Sequence, residues 1–430
     1  MPLNIKNQSV HSNLLPMFII GVLFFIFGFV TWLNGSLIPF LKVICDLNDF
    51  QAFFVTFAFY IAYTVMALPM AFVLEKIGYR DGMALGLFIM SIGSILFIPA
   101  AYSASFSLFL LALFVLGSGL TILQTASNPY VVLLGPNESA AMRISIMGLI
   151  NKGAGVIVPL VFTALVLSDI GDTSHQALIQ LNSEEIQALS DRLVVPYLYM
   201  ALTLLGLVGL IKLTPLPEFK QDLKQKSQTG IIHFPQVILG SLALFAYVGV
   251  EVIAGDTIGL FGGDLGLQNF ASLTSYTMMF MVLGYLIGVF CIPKYLSQQT
   301  ALVGSAVAGV LCVIGVLSSS AQSTAIAAIL WGWTGIDVIP DPVTFVALMG
   351  LAHALVWPSV WPLALKDLGR YTAQGSALLI MGIAGGAVLP LVFGKIAETN
   401  QNIQSAYWIA IPCYLFILFY AVKGHKMRSW

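Results

Sequence analysis

The sequence is poor in charge. Only 9% of its 430 residues are charged, while 59% are hydrophobic; a soluble protein is about 25% charged. A soluble domain of this length could not hide so much apolar surface, so lipid is the expected solvent. The net charge of −1 supplies no basic surface, and no nucleic acid is expected as a partner. Cysteine is scarce as well. Cys45, Cys291, Cys312 and Cys413 are scattered, with no metal-ligand spacing and no sign of a disulfide framework. There is no Cys/His/Asp cluster at ligand spacing and no Gly-rich phosphate loop. An enzyme is therefore not expected, nor is a bound cofactor.

What is present is a series of apolar runs, each about 20 residues and so long enough to span a bilayer. They fall at 15–42, 50–74, 82–102, 107–134, 142–167, 195–214, 235–262, 270–293, 300–319, 343–365, 372–394 and 404–422. The breaks carry turn chemistry, as in "EKIGYRDG", "LGPNES", "KDLGRY" and "AETNQN". Aqueous loops are expected at 168–194, 215–234 and 320–342. The first run, from Pro16 to about Ile44, is too long for a signal-peptide core and reads as a retained helix.

Basic residues set the orientation. With both termini inside, the inner side collects Lys76, Arg80, Arg143, Lys212, Lys366 and Lys423 among others, and the outer side only Lys42, Arg192 and Lys395. This is the positive-inside bias, and it fits an even number of spans. Lys152 belongs to neither side.

The chain repeats itself. "GVIVPLVF" at 155–162 returns as "GAVLPLVF" at 386–393, and each follows a helix ending in an X-Pro pair and a glycine-bearing loop. Helices 4–5 thus pair with helices 10–11. The fold class expected is all-α integral membrane, twelve helices in two pseudo-symmetric six-helix bundles, 1–214 and 235–430, joined by a cytoplasmic linker at 215–234. Parallel halves around a midplane site resemble the major-facilitator architecture. The loop "AFVLEKIGYRDG" resembles the major-facilitator loop signature, with Ala71 in place of the usual glycine. Glu75, Lys76 and Arg80 would then form a gating charge latch that makes and breaks as the halves rock; the plainer reading is a basic loop with a turn glycine, Gly78.

Ionisable groups inside membrane helices are costly and so are functional candidates. Glu251 lies about 24 Å along helix 7, Lys152 roughly 14 Å into helix 5 and His353 about 15 Å into helix 10. Lys152 and Glu251 sit in opposite halves at comparable depth. A bridge between them would neutralise both, as a coupling device or as a static ion pair. Asp256 follows Glu251 among glycines. If the helix unwinds there, freed carbonyls and the two carboxylates could cradle Na+; otherwise Asp256 lies at the outer interface. His353 either bonds a hydroxyl or packs. Gln124 and Asn128 share a face of helix 4, Asn34 lies on helix 1 and Asn151 on helix 5. Their counterparts on helix 10 are Trp357 and Trp361. Amides on one wall and indoles on the other suit a sugar, whereas helix–helix glue and an aromatic belt are the structural alternatives.

The segments "FVTWLNGSLIPFLK", "LQTASNPYVVLLGP", "RISIMGLINKGAGVIVPLVF" and "YVGVEVIAGDTI" make the chain similar to the fucose–galactose–glucose symporter family of the major facilitators, in particular its bacterial glucose/galactose branch. The resemblance implies hexose uptake coupled to Na+ or H+ across a bacterial cytoplasmic membrane, both termini inside, by alternating access. In the proton-coupled fucose pattern, acids stand near the places of Gly35 and Gln124. Both are missing here, so coupling is expected to fall to Glu251, Asp256 and Lys152. The sugar is expected to contact Asn34, Gln124, Asn128, Asn151, Trp357 and His353. The partners expected are a small sugar and the bilayer, with the protein a monomer. N-acetylglucosamine uptake and proton-driven efflux are the competing readings.

Overall fold

The computed structural model of the protein describes residues 14–134, 140–167, 182–214, 216–217, 231–292, 295–368 and 371–430. Among these residues there are helices and no strands. Twelve of the helical stretches are long and apolar enough to cross a membrane. In hydrocarbon each backbone N–H and C=O must be satisfied within the chain, which a helix does segment by segment.

The first half contains α1 (Leu14–Ile44), α2 (54–77), α3 (79–103), α4 (Phe106–Leu133), α5 (Ala140–Phe162, continued by a π-wound turn Thr163–Leu167) and α6 (Val194–Leu213). The α2–α3 corner is made by Gly78, whose φ of 81° is open to glycine but strained for other residues. The second half contains α7 (Pro235–Asp256, then Ile258–Asp264), α8 (Thr274–Cys291), α9 (Gln298–Ser318), α10 (Asp341–His353, then Val356–Leu365), α11 (Thr372–Met381, then Gly385–Asn400) and α12 (Ala410–Val422). Three helices that face the first half, α7, α10 and α11, are interrupted. Their first-half counterparts α1, α4 and α5 run unbroken across the same depth.

Two expected loops hold short helices. Ser183–Asp191 starts at a capping box in which the Asn182 side chain accepts from the Glu185 N–H and Glu185 answers to the Asn182 N–H. Ala325–Trp331 folds back within the 320–342 segment. The 215–234 linker falls largely outside the described residues.

Within the first half, α1 packs on α5, and the α2–α3 unit packs on α4 and α6; within the second, α7 packs on α11 and α12, and α10 on α8 and α9. Among the described residues the halves meet most extensively at three crossings, α1–α7, α2–α11 and α5–α8. Each crossing seats a large side chain on a glycine. A Cβ on Gly255 would come within 2.5 Å of the Trp32 indole, one on Gly394 within 2.0 Å of the Phe53 ring, and one on Gly155 within 2.8 Å of Met278.

Candidate functional site

A charged cavity lies between the halves. Its second-half wall starts from α7, which is apolar over most of its length and carries Glu251 and Tyr247 one turn apart, on one face. Trp357 from the inner segment of α10 and Tyr285 from α8 complete that wall. The facing wall carries Gln124 and Asn128 from α4, Asn151 and Lys152 from α5, and Tyr60 and Tyr63 from α2.

At its centre Lys152 Nζ meets Glu251 Oε1 at 2.7 Å. The two residues are 9% and 6% exposed, so the pair is nearly removed from water. Each charge there depends on the other, because a lone charge at this depth would be costly. The ammonium also stands 4.3 Å from the centre of the Trp32 ring, a cation–π distance. Trp32 is itself wedged between Gly155 and Gly255, so the ion pair, the indole and the α1–α7 crossing form one assembly.

The amides are held. Gln124 Nε2 donates to the Tyr63 hydroxyl at 3.1 Å, and Asn151 Nδ2 donates to the Phe24 carbonyl at 3.3 Å. Each leaves its amide oxygen as an acceptor, while Asn128 is half-buried on the same wall. Trp357 stacks loosely against Tyr247, ring centres 6.4 Å apart, and against Trp361 at 5.5 Å. The cavity thus offers hydrogen-bonding groups on one side and flat aromatic faces on the other. It measures about 140 Å³ and is not enclosed.

One end is sealed. Ser36 Oγ donates to the Ala271 carbonyl at 2.6 Å, Ser275 Oγ to the Val156 carbonyl at 2.7 Å, and Thr56 Oγ1 to Asp256 Oδ2 at 3.4 Å. Lys42 and Asp264 stand 3.8 Å apart, and the Phe53 and Phe393 rings meet edge to face at 5.7 Å. All of these contacts join the halves on the side where α1 ends and α2 begins. The cavity therefore opens toward the other end, past Phe24, Asn128 and Ile144.

Several expectations need correction. Asn34 is 1% exposed and lies outside the cavity lining. It stands two residues from Trp32, about 200° round the helix, so it faces away when Trp32 faces the ion pair. His353 is fully buried behind the wall, its Nε2 2.6 Å from the Tyr414 hydroxyl on α12; it packs within its own half and does not line the cavity. Asp256 is also fully buried, at the sealed seam. No open carbonyl cradle forms beside it. Thr257 Oγ1 donates to the Ile253 carbonyl at 2.6 Å, Thr277 Oγ1 to that of Ala254 at 3.3 Å, and Thr274 Oγ1 to that of Gly255 at 2.8 Å. Glu251 meanwhile binds Lys152. Among the described residues no cluster of three or more His, Cys, Asp or Glu could hold a metal.

Of the expected latch residues, Arg80 is held within its own half. Arg80 Nε donates to the Ile211 carbonyl at 3.1 Å, and its guanidinium also binds the Lys212 carbonyl. Lys212 in turn pairs with Asp81 at 2.8 Å. These contacts tie the α2–α3 corner to α6 in the same half. Lys76 is exposed, and the Glu75 side chain lies outside the described residues.

Sequence reasoning passed over the tyrosines. Tyr60, Tyr63, Tyr247 and Tyr285 all line the cavity. Their signal was there to read: a tyrosine in place of phenylalanine deep in a membrane helix brings a hydroxyl that must find a partner. Tyr247 stands one helical turn before Glu251, and Tyr60 and Tyr63 share a face.

The Major Facilitator Superfamily model matches residues 20–390. The chain belongs to this superfamily. Within it, this facilitator is 31% identical over 433 residues to the "Glucose/galactose transporter" of Brucella abortus, spanning 99% of this chain and 98% of that one. It is 27% identical to the "L-fucose-proton symporter" of Escherichia coli, over 95% of this chain and 93% of that one. These relatives place it in the fucose–galactose–glucose symporter family. The crystal structure of the E. coli fucose:proton symporter matches 97% of this facilitator and 100% of its own chain, with a TM-score of 0.72 at 26% identity.

Proposed function

We propose that this facilitator imports a hexose, glucose or galactose, by cation-coupled symport. The observation that carries the reading is the pairing of an amide wall with an indole wall around a cavity that a buried ion pair bridges. Gln124, Asn128 and Asn151 would meet sugar hydroxyls, while Trp357 would cover the apolar C–H face of the ring. The names of the curated relatives support a hexose. The cavity, at about 140 Å³, is small beside the roughly 300–1,000 Å³ of drug-sized pockets, which favours a monosaccharide over the bulky amphipath of an exporter. Both walls come from a single chain, so a monomer suffices.

The basic-residue bias makes the open end cytoplasmic, with both termini on that side of a bacterial inner membrane. In this reading the structure is the inward-facing state. A cation, H+ or Na+, would engage Glu251 in the outward-facing state, when separation of the halves draws Lys152 away. Closure of the Asp256 seam would follow. Coupling then requires that the empty and doubly loaded carriers reorient while singly loaded forms do not.

The test is uptake of labelled glucose, galactose and N-acetylglucosamine into proteoliposomes, with proton and sodium gradients imposed separately. Concentrative hexose uptake under one gradient is expected. Hexose movement that merely equilibrates under both would end the symport reading, and export of an amphipath without sugar uptake would end the hexose reading.

A further inference from the structure

A second cavity, about 300 Å³, is separate from the sugar site: an apolar slot among α1, α5 and α6. It exists because α6 leans on the α2–α3 unit and leaves a gap toward α1 and α5. The slot runs from Leu33, Val166 and Tyr197 at the sealed end to Phe25, Val158 and Leu204 near the middle of the helices. At 1.5 Å per residue this is about 12 Å, close to one leaflet of a hydrocarbon core roughly 30 Å thick. Its rim is lipid-facing: Leu165 is 58% and Tyr199 67% exposed.

Of the hydroxyl-bearing residues that line the slot, Tyr197, Tyr199 and Thr203, the first is the one buried without a partner. Tyr197 is 2% exposed, and its hydroxyl has no hydrogen-bond partner among the described residues. Its ring is locked by stacking on Phe97, centres 3.8 Å apart and planes within 8°. A buried hydroxyl without a partner destabilises the site it occupies. This one stands three residues into α6, whose 20 residues run about 30 Å, the thickness of a hydrocarbon core, so it falls near one edge of that core. Arg192, just before α6, donates to the Val166 carbonyl at 3.1 Å and so ties the start of α6 to the end of α5.

We infer that the slot binds one diacyl phospholipid from the leaflet at the sealed end, an acyl chain filling the slot and an ester carbonyl accepting from the Tyr197 hydroxyl. A void inside a bilayer forfeits packing along its whole lining, and a lipid chain is the filler at hand. The bound lipid braces α1 and α5, two of the helices that form the seal, against α6.

The test is native mass spectrometry of the full chain in detergent doped with diacyl phosphatidylethanolamine or its diether analogue. The wild type should retain one lipid and favour the ester form at least fivefold. Met200→Trp, which plugs the slot, should cut retention at least tenfold, and Tyr197→Phe should abolish the ester preference while leaving the fold intact. Equal retention by wild type and Met200→Trp, or equal retention of ester and ether lipid by the wild type, overturns the assignment. If Met200→Trp does not fold, the ester-to-ether ratio of the wild type and Tyr197→Phe decides alone.

Discussion

The Trp32 indole rests on Gly255 across the boundary between the halves, while its face receives the Lys152 ammonium at 4.3 Å. One side chain therefore touches both the seal and the ion pair. Whatever disturbs the Lys152–Glu251 bond is felt directly at the α1–α7 crossing.

Neutralising one member of that bond leaves its partner buried and unpaired, at a cost of about 3–5 kcal/mol. Lys152→Ala and Glu251→Gln should each lower the melting temperature in detergent and reduce uptake at least tenfold. The double change should recover most of the stability and little of the transport. Concentrative uptake at the wild-type level in the double variant would remove the pair from the coupling mechanism.

Side chains added at the seam should hold the sealed end apart. Gly394→Val pushes into the Phe53 ring, and overpacking of this kind costs about 1–3 kcal/mol, a roughly fivefold or greater shift between states. Spin labels on the exposed Ser107 and Gln268 should report a longer mean distance by electron resonance, with sugar binding kept and uptake lost. An unchanged distance distribution would mean that these glycines do not set the closure.

The cavity walls and the residues behind them are separable by kinetics. Trp357→Ala should raise KM at least tenfold, and Trp357→Phe should restore most of it. Removing the His353–Tyr414 bond by His353→Ala should cost about 1–3 kcal/mol of stability and leave KM near wild type. A large KM effect from His353→Ala without loss of stability would return His353 to the sugar site.

Arg80 ties α6 to the α2–α3 corner. Arg80→Ala should therefore lower the melting temperature without changing the label distances at the seam. The Asp81–Lys212 pair, 47% and 50% exposed, should contribute less than about 1 kcal/mol in a double-mutant cycle. A shift in state populations in Arg80→Ala would instead support the latch.

The twelve spans and the meeting of Lys152 with Glu251 were legible because hydrophobic length and charge at depth are one-dimensional signals. Asn34 misled because depth alone does not fix a helix face; it lies two positions from Trp32, and that interval turns it away. His353 misled because a buried imidazole and a binding one look alike until its neighbour, here Tyr414 sixty-one positions along the chain, is known. Arg80 followed a loop signature, but its partners are backbone carbonyls, which no sequence pattern records. The interruptions in α7 and α11 were hinted at by glycines; the occupation of the α7 carbonyls by three threonine hydroxyls was not.

The octapeptide that occurs twice places a glycine where each copy faces the opposite half: Gly155 under Met278 and Gly386 under Tyr60. Watertightness at this boundary thus rests on hydrogen atoms standing where other residues carry carbon. A drift to alanine at either place would pass unnoticed in any hydropathy profile, since the segment would read as equally greasy. The carrier would nonetheless stand ajar, and damage of this kind would show as leak or stalled turnover long before it showed as misfolding.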